Sequence, residues 1–380
     1  MRILVVNPNW NAYSEAWLRR MMAYIQESVV GLACFNPGQS QWNGTPTFDL
    51  YGKRTSFLSR IPGIRRWYVP NVSNDFSQFV KKAQPDLIFI NFIGPAMYLI
   101  DSLKKTKIPV VIHVHGGDVF WDAVDELSGE FIHPGDYTKR VIELSSVIRK
   151  LTFIANSDLS KNQLLGIGID ETVIYRKNFG VKIPVVEKKN NQNLKLLYVG
   201  RFVDFKGPDI VVNAFIKACQ FGFTGSLTMI GTGTLRPACQ LIARRSTFHD
   251  RIRFVEPLDE KDLEEYYQTS DLLCMNSLHG ELSNQSEAFG SVYIEAMSYG
   301  LVPITGNHAG PKEIIDHQVN GVLVNPGDVD AYVKEIMRLD QNRTEINRMS
   351  LNAIETIREK YTDVQERNRL NEVFDSVING

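Results

Sequence analysis

Cysteine is scarce. The 380-residue chain holds four, Cys34, Cys219, Cys239 and Cys274. None forms a Cys-x-x-Cys pair, and no histidine stands at zinc-finger spacing from them. A disulfide framework and a structural zinc site are thereby disfavoured, and the thiols read as reduced and buried in a cytoplasmic protein. Long hydrophobic runs are also missing: none reaches the ~18 residues that a membrane-spanning helix needs. A charge excess is missing too. Lys plus Arg number 42 and Asp plus Glu 43, which argues against a chain that coats nucleic acid but permits a local basic patch. There is no internal repeat and no low-complexity segment. The start, Met1-Arg2-Ile3-Leu4-Val5-Val6-Asn7-Pro8, breaks too early for a signal peptide and reads as a buried strand. The seven histidines are scattered apart from His113 and His115, so no metal site is expected.

What is present is alternation. Short apolar runs predict strands at Arg2–Asn7, Asp86–Asn91, Val110–Val114 and Thr152–Asn156 in the first half. In the second half they fall at Leu194–Val199, Ser226–Ile230, Ile252–Val255, Asp271–Cys274, Val302–Thr305 and Gly321–Val324. Helical periodicity lies between them, as at Ser14–Ser28, Tyr137–Lys150, Pro208–Cys219 and Asp328–Leu339. Strands of this kind separated by helices make βαβ units and parallel sheets, so the fold class is α/β. Residues 187–193, Glu-Lys-Lys-Asn-Asn-Gln-Asn, have linker composition and divide the chain. Two doubly wound, Rossmann-like domains are expected, residues 1–185 and residues 194–361, with their strand ends facing across a cleft. The polar helical tail, Thr362–Asn379, carries Leu370, Val373 and Phe374 at helical spacing.

Two segments carry chemistry. In Val199-Gly200-Arg201-Phe202-Val203-Asp204-Phe205-Lys206-Gly207-Pro208 a strand ends, Gly200 permits a sharp turn, and Gly207-Pro208 opens a helix. Arg201 and Lys206 beside a helix N-terminus suit an anion such as a pyrophosphate, although two solvated cations explain the same residues. In Glu287-Ala288-Phe289-Gly290-Ser291-Val292-Tyr293-Ile294-Glu295, Gly290-Ser291 marks a helix start and Gly300 its stop. Free N–H groups around Ser291 and Val292 can bind phosphate without a side chain. Glu287 in the loop and Glu295 one turn inside the helix are too far apart in sequence for a tight dyad, and reach different parts of one extended ligand.

The two segments together resemble the retaining glycosyltransferases of family 4, of GT-B fold. The resemblance lies in Gly-Arg-Phe-x-x-x-Lys-Gly, followed about eighty residues later by Glu, seven residues and Glu around Phe-Gly. Lesser landmarks agree in order over most of residues 150–340. Ile230-Gly231-Thr232-Gly233 is similar to the family's Gly-x-Gly, and Ile252 to Leu258 to its nucleobase loop, including Glu256 and Leu258. Thr305 to Glu313 is similar to its late Gly-x-x-Glu turn. The resemblance implies a nucleotide-diphosphate sugar, UDP- or GDP-linked, as co-substrate, with no cofactor and no required metal. It implies that Glu295 holds the ribose hydroxyls, that Glu287 and the backbone at Phe289-Gly290 hold the donor sugar, and that Arg201, Lys206 and the Ser291 terminus hold the diphosphate. It also implies that the last helix returns to the first domain. His115 matches the family's histidine that bonds the donor sugar. It ends Val111-Ile112-His113-Val114-His115-Gly116-Gly117-Asp118, where alternation puts His113 and His115 on one side. A core histidine is the alternative, and Asp118 would support His115 or orient a hydroxyl. The family's first Gly-rich loop is replaced by Asn9 to Glu15, the nucleobase-loop glycine by Glu256, and Leu278–Ser286 is an insertion.

A further feature belongs to this chain. Residues 51–74 gather Lys53, Arg54, Arg60, Arg65 and Arg66 with Tyr51, Phe57, Trp67 and Tyr68. Cations mixed with aromatics suit an anionic membrane surface or a lipid-linked acceptor, and a solvated loop is the plainer account. The expectation is a cytoplasmic enzyme, peripheral on the inner face of the cell membrane, acting on a saccharide or lipid-linked acceptor and not on nucleic acid. Two other readings stay open, a GT-B sugar-nucleotide epimerase and an inactive membrane-docking module. Turnover of donor without acceptor marks the first, and absence of any donor hydrolysis the second.

Overall fold

Near-continuous runs of apolar residues fit a sheet buried on both faces, and the described residues build two such sheets. The structure is a computed structural model, which describes residues 1–8, 16–35, 41–50, 73–185 and 191–380. In the first sheet the strands are β1 (Ile3–Asn7), β2 (Val29–Cys34), β3 (Gln41–Trp42), β4 (Thr45–Asp49), β5 (Leu87–Asn91), β6 (Val110–Val114), β7 (Leu151–Ala155) and β8 (Ile174–Arg176), in the spatial order β3-β4-β2-β1-β5-β6-β7-β8. The second sheet holds β9 (Lys195–Val199), β10 (Ser226–Ile230), β11 (Ile252–Val255), β12 (Leu272–Cys274), β13 (Val302–Gly306) and β14 (Val322–Val324), in the order β11-β10-β9-β12-β13-β14. Both orders reverse direction at a central strand pair, β1/β5 and β9/β12, the place where a doubly wound sheet opens a crevice.

The ten strands predicted from sequence are all present. Among the described residues four more were not anticipated: β2, β3, β4 and β8. The sheets are parallel except at one edge, where β3 and β4 pair antiparallel, a departure from the all-parallel expectation.

Alternation along β1 sends Leu4 and Val6 to one apolar layer and Ile3 and Val5 to the other. The second layer is completed from the far end of the chain. The helix Asp363–Asn379 packs Leu370, Val373 and Phe374 against Ile3, Val5, Leu87 and Phe89. Its start is a capping box of Thr362 with Gln365. The chain reaches this helix beside its own earlier crossing: Val181 N–H donates to Tyr361 O at 2.9 Å and Asp363 N–H to Val181 O at 3.1 Å. The polar linker lies partly outside the described residues. Of its end, Asn191 is anchored, with Nδ2 donating to Thr269 O and to Asp271 at 2.9 Å each.

All four cysteines are buried and unpaired. Among the described residues no helix is long and apolar enough to cross a membrane.

Candidate active site

Register brings the donor-side loops together. Val199 pairs with Ile230, and Ile230 with Val255, so Gly200, Gly231 and Glu256 follow adjacent strand ends. Gly231, at φ 137°, lies so close to its neighbour that a Cβ there would sit 2.0 Å from Gly200 O. A Cβ on Gly233, at φ 152°, would sit 2.5 Å from Phe202 O. The chain bends at Gly200 as expected, and Gly207 takes φ 57° immediately before the helix Pro208–Gln220. A Cβ there would meet Asn276 O at 2.5 Å, so only glycine fits.

In this loop Arg201 is exposed and lies over the Phe205 ring at 5.6 Å. Lys206 turns inward. Its Nζ donates to Glu287 Oε2 at 2.5 Å, and both side chains are about seven-eighths buried, 13% and 14% exposed. The first of the paired glutamates therefore joins the cationic loop across the crevice of the second sheet. Glu287 is fixed by its backbone as well. Its carbonyl accepts from Gly310 N–H at 2.9 Å, and the preceding Ser286 hydroxyl lies 2.9 Å from Nε2 of His308. A Cβ on Gly310 would strike Ala288 O at 2.2 Å. The late glycine turn is thus the clamp that holds the Glu287 segment.

Gly290, at φ 87°, precedes the helix Ser291–Ser298. The first-turn N–H groups at Ser291 and Val292 have no intrahelical acceptor, and Phe289 beneath them is buried. Glu295 does not face open space. Its Oε1 accepts from Nη2 of Arg20 at 2.7 Å, and its Oε2 from the Tyr267 hydroxyl at 3.2 Å. Glu256 is largely exposed, 72%, and pairs with Arg236. Leu258 is half-buried against the second domain's core.

On the first-domain side, β1, β5 and β6 end side by side in Asn7, Asn91 and Val114. Asn91 Nδ2 donates to Asn7 Oδ1 at 2.6 Å, and Asn91 Oδ1 lies 3.1 Å from Nε2 of His115. Nδ1 of His115 is then a buried atom with no hydrogen-bond partner among the described residues. The alternation holds: the His113 and His115 rings lie 4.0 Å apart on one side. The ring of His115, however, does not look into an open cleft. Trp17 lies against it at 4.0 Å and Phe92 at 4.6 Å, both tilted, with Phe179 parallel at 5.9 Å. Burial pushes the pKa of both histidines well below the ordinary value, with each other and Lys177 as lesser causes for His113 and Lys177 for His115. His115 is accordingly a neutral imidazole at pH 7. Asp118 is buried, and its carboxylate accepts from His115 N–H at 2.8 Å and Ile93 N–H at 3.2 Å. Burial raises its pKa to about 6 against those hydrogen bonds. It braces the His115 loop.

The domains touch around this site. Val124 N–H donates to Ser283 O at 2.9 Å, Asn284 Nδ2 to Asp122 O at 3.1 Å, and Asp204 N–H to Glu126 Oε1 at 2.9 Å. Phe179 meets Phe289 edge-on at 5.4 Å. The insertion 278–286 folds onto the donor loop, with Asp204 accepting from Leu282 N–H, Ser283 N–H and the Ser283 hydroxyl at 2.7, 2.9 and 2.6 Å.

Reasoning from sequence missed Arg20, Trp17, Tyr267, Glu126 and Asp204. Asp204 had a signal, its place between Arg201 and Lys206. The others reach the site only through the packing of distant segments. The replaced first loop, 9–15, and the basic stretch through residue 72 lie outside the described residues.

A two-domain GT-B fold with cations, paired glutamates and a free helix terminus at one crevice defines a class of protein. Residues 182–356 match the family model Glycosyl transferases group 1. The chain is 24% identical over 269 residues to the amylovoran biosynthesis glycosyltransferase AmsK of Erwinia amylovora, covering 68% of this chain and 62% of that protein. It is 20% identical over 302 residues to the GDP-mannose-dependent alpha-(1-6)-phosphatidylinositol monomannoside mannosyltransferase of Mycobacterium tuberculosis, covering 79% and 78%. HepE of Anabaena, solved in complex with UDP, superposes with a TM-score of 0.77 at 17% identity over 99% of this chain and all of that one.

Proposed function

We propose that the protein is a metal-independent, retaining glycosyltransferase. It moves a sugar from a UDP- or GDP-sugar to a saccharide or lipid-linked acceptor in polysaccharide, glycolipid or glycoconjugate assembly. The observation that carries this reading is the Lys206–Glu287 pair, set between the Arg201 loop and the Gly290–Ser291 helix terminus. When the bond between the anomeric carbon and the diphosphate breaks, negative charge grows on the leaving phosphate. Arg201, Lys206 and the N–H groups of Ser291 and Val292 are the groups that stabilise it, each such donor contributing on the order of 3 kcal/mol in a dry site. The acceptor oxygen attacks from the same face as the departing phosphate. Its proton passes to a phosphate oxygen, so no side-chain nucleophile is required. Glu287 holds the donor sugar, oriented by Lys206 before the donor arrives, and Glu295 takes the ribose. The neutral His115 keeps Nδ1 as a hydrogen-bond acceptor for a sugar hydroxyl once Trp17 moves aside.

The test is thermal denaturation in the presence of UDP-, GDP- and ADP-sugars, because a ligand that binds only the folded state raises the melting temperature. The donor found in this way then serves for kinetics. Arg201→Ala and Lys206→Ala should each lower kcat by about 100-fold or more with the fold intact. Full activity in both variants removes the proposal.

The acceptor side follows from residues 51–74. Five cations near an anionic leaflet contribute on the order of 1 kcal/mol each, enough for reversible attachment of a cytoplasmic enzyme at the membrane where a lipid-linked acceptor resides. Sedimentation with vesicles of rising anionic lipid content should carry the protein down at low salt and release it at high salt. Arg60→Ser/Arg65→Ser/Arg66→Ser should leave it in the supernatant. Equal sedimentation of both proteins would assign the acceptor to solution.

A further inference from the structure

The second carboxylate of the pair, Glu295, is held from two domains at once. Tyr267, in the helix Glu260–Thr269 of the second domain, takes Oε2. Arg20, in the helix Ala16–Ile25 of the first domain, takes Oε1. The other arm of the Arg20 fork, Nη1, pairs with Glu260 Oε1 at 2.5 Å. One guanidinium therefore reaches from the first domain over two carboxylates of the second. The contact is well shielded, with Arg20 20% and Glu295 18% exposed. Burial alone would lower the pKa of Arg20, but Glu295 first and Glu260 second hold it above its ordinary value. Arginine suits this role because its planar fork places two donors in fixed directions.

A carboxylate oxygen has two lone-pair directions, so tying each oxygen of Glu295 once leaves each able to accept once more. What the tie removes is rotation. A free glutamate on a helix samples several rotamers, whereas this one presents its remaining lone pairs in one orientation. A vicinal diol presents two donors in a fixed relation. Matching it requires a carboxylate that does not turn.

We propose that Arg20 is a positioning residue which completes, from the first domain, the second domain's site for the ribose diol of the nucleotide. The proposal rests on the reading that Glu295 accepts from the ribose hydroxyls. Arg20 itself makes no contact with the sugar. Its removal leaves Glu295 in place but loose, so the site still binds nucleotide and no longer distinguishes ribose from 2′-deoxyribose.

The experiment is equilibrium binding, by calorimetry, of UDP, GDP and their 2′-deoxy counterparts to the full chain. A hydrogen bond to a charged group is worth about 1.5–3 kcal/mol, so wild type should prefer its ribonucleotide by roughly 10- to 100-fold. Glu295→Gln should reduce that preference to within about threefold, and Arg20→Ala should do the same while the 2′-deoxynucleotide binds nearly as before. Arg20→Lys, which keeps the charge without the fork, should recover only part of the preference. Arg20→Gln, of similar length, stands in if the alanine variant fails to fold.

The outcomes separate. If wild type shows no preference, or Glu295→Gln retains it, the ribose reading of Glu295 falls, and the Arg20 proposal with it. If Glu295→Gln loses the preference while Arg20→Ala and Arg20→Gln keep it, the ribose reading stands and the Arg20 proposal is overturned. A uniform loss of affinity for both nucleotides in the Arg20 variants, with the preference unchanged, marks a merely structural contact and overturns it equally.

Discussion

Gly231 shows how much one residue decides. Its backbone at φ 137° and the 2.0 Å approach of Gly200 O to its missing Cβ make it irreplaceable on two counts, dihedral strain and collision. Gly231→Ala should lower the unfolding free energy by at least about 2 kcal/mol in denaturant titration, and it should weaken nucleotide binding. Gly94 offers the contrast: a Cβ there meets nothing within 4 Å and its φ is ordinary. Gly94→Ala, in the helix Ile93–Tyr98, meets only the mild restriction that Pro95 places on a preceding residue with a Cβ, and should cost far less than Gly231→Ala. Asp118 gives a prediction in pH. Burial holds its folded pKa near 6 against 3.8 for the free group. Between those values the folded state keeps a proton that the unfolded state has lost, so stability falls as pH rises from about 4 to about 6. The penalty is complete above that range. Compared with Asp118→Asn, wild type should lose up to about 3 kcal/mol over this interval, read from denaturant melts at stepped pH. A flat difference would show that the carboxylate ionises freely in the fold.

At the scale of elements, the ten strands legible in sequence are runs of bulky apolar residues between turn signals. Those missed have other compositions. The β2 strand, Val-Val-Gly-Leu-Ala-Cys, contains small residues, and a Cβ on Gly31 would lie 3.0 Å from the Phe79 ring. The glycine leaves room for the helix Ser73–Ala83, and pairing with β1 and β4 makes the segment a strand. Thr-Pro-Thr-Phe-Asp in β4 has a proline inside it, tolerable near an edge where donors go unused. Strand β8 is three residues long and takes its conformation from pairing with β7. The insertion 278–286 was visible only as extra length. In the fold it is an element stapled to the donor loop by Asp204, which also accepts from Phe205 N–H at 2.7 Å. Asp204→Ala frees those donors together. A loss of roughly 1–3 kcal/mol is expected from one buried unsatisfied group, with the Lys206 loop released from its wrapping. Thermal melts and donor KM measured side by side check both effects.

The whole molecule turns on the place where the chain crosses between domains twice. Lys177 is fully buried and pairs with Glu366 at 2.5 Å, with side chains 0% and 2% exposed. Glu366 also accepts from Gly180 N–H at 2.9 Å. This knot ties the last helix to the end of the first domain. Lys177→Met leaves an unpaired buried carboxylate, so a destabilisation of about 3–5 kcal/mol is expected. Lys177→Met/Glu366→Gln removes both charges and keeps an acceptor for Gly180, and it should recover most of that loss. Chemical denaturation of the two variants decides whether the pair acts through charge or through shape.

The sequence by itself determined what depends on short stretches of chain. That covers the α/β class, the two halves, the glycine-bounded loops after β9 and β10, the helix start at Ser291, and the positions of Arg201, Lys206, Glu287 and Glu295. Periodicity and turn chemistry are local properties, written within a few residues of where they act. Only the tertiary structure decided which groups those residues meet. Lys206 found Glu287, Glu295 found Arg20, and His115 lies beneath Trp17. Each partner lies in a separate stretch of the chain. Its position depends on how sheets stack and domains close, and side-chain packing over such sequence distances leaves no periodic trace.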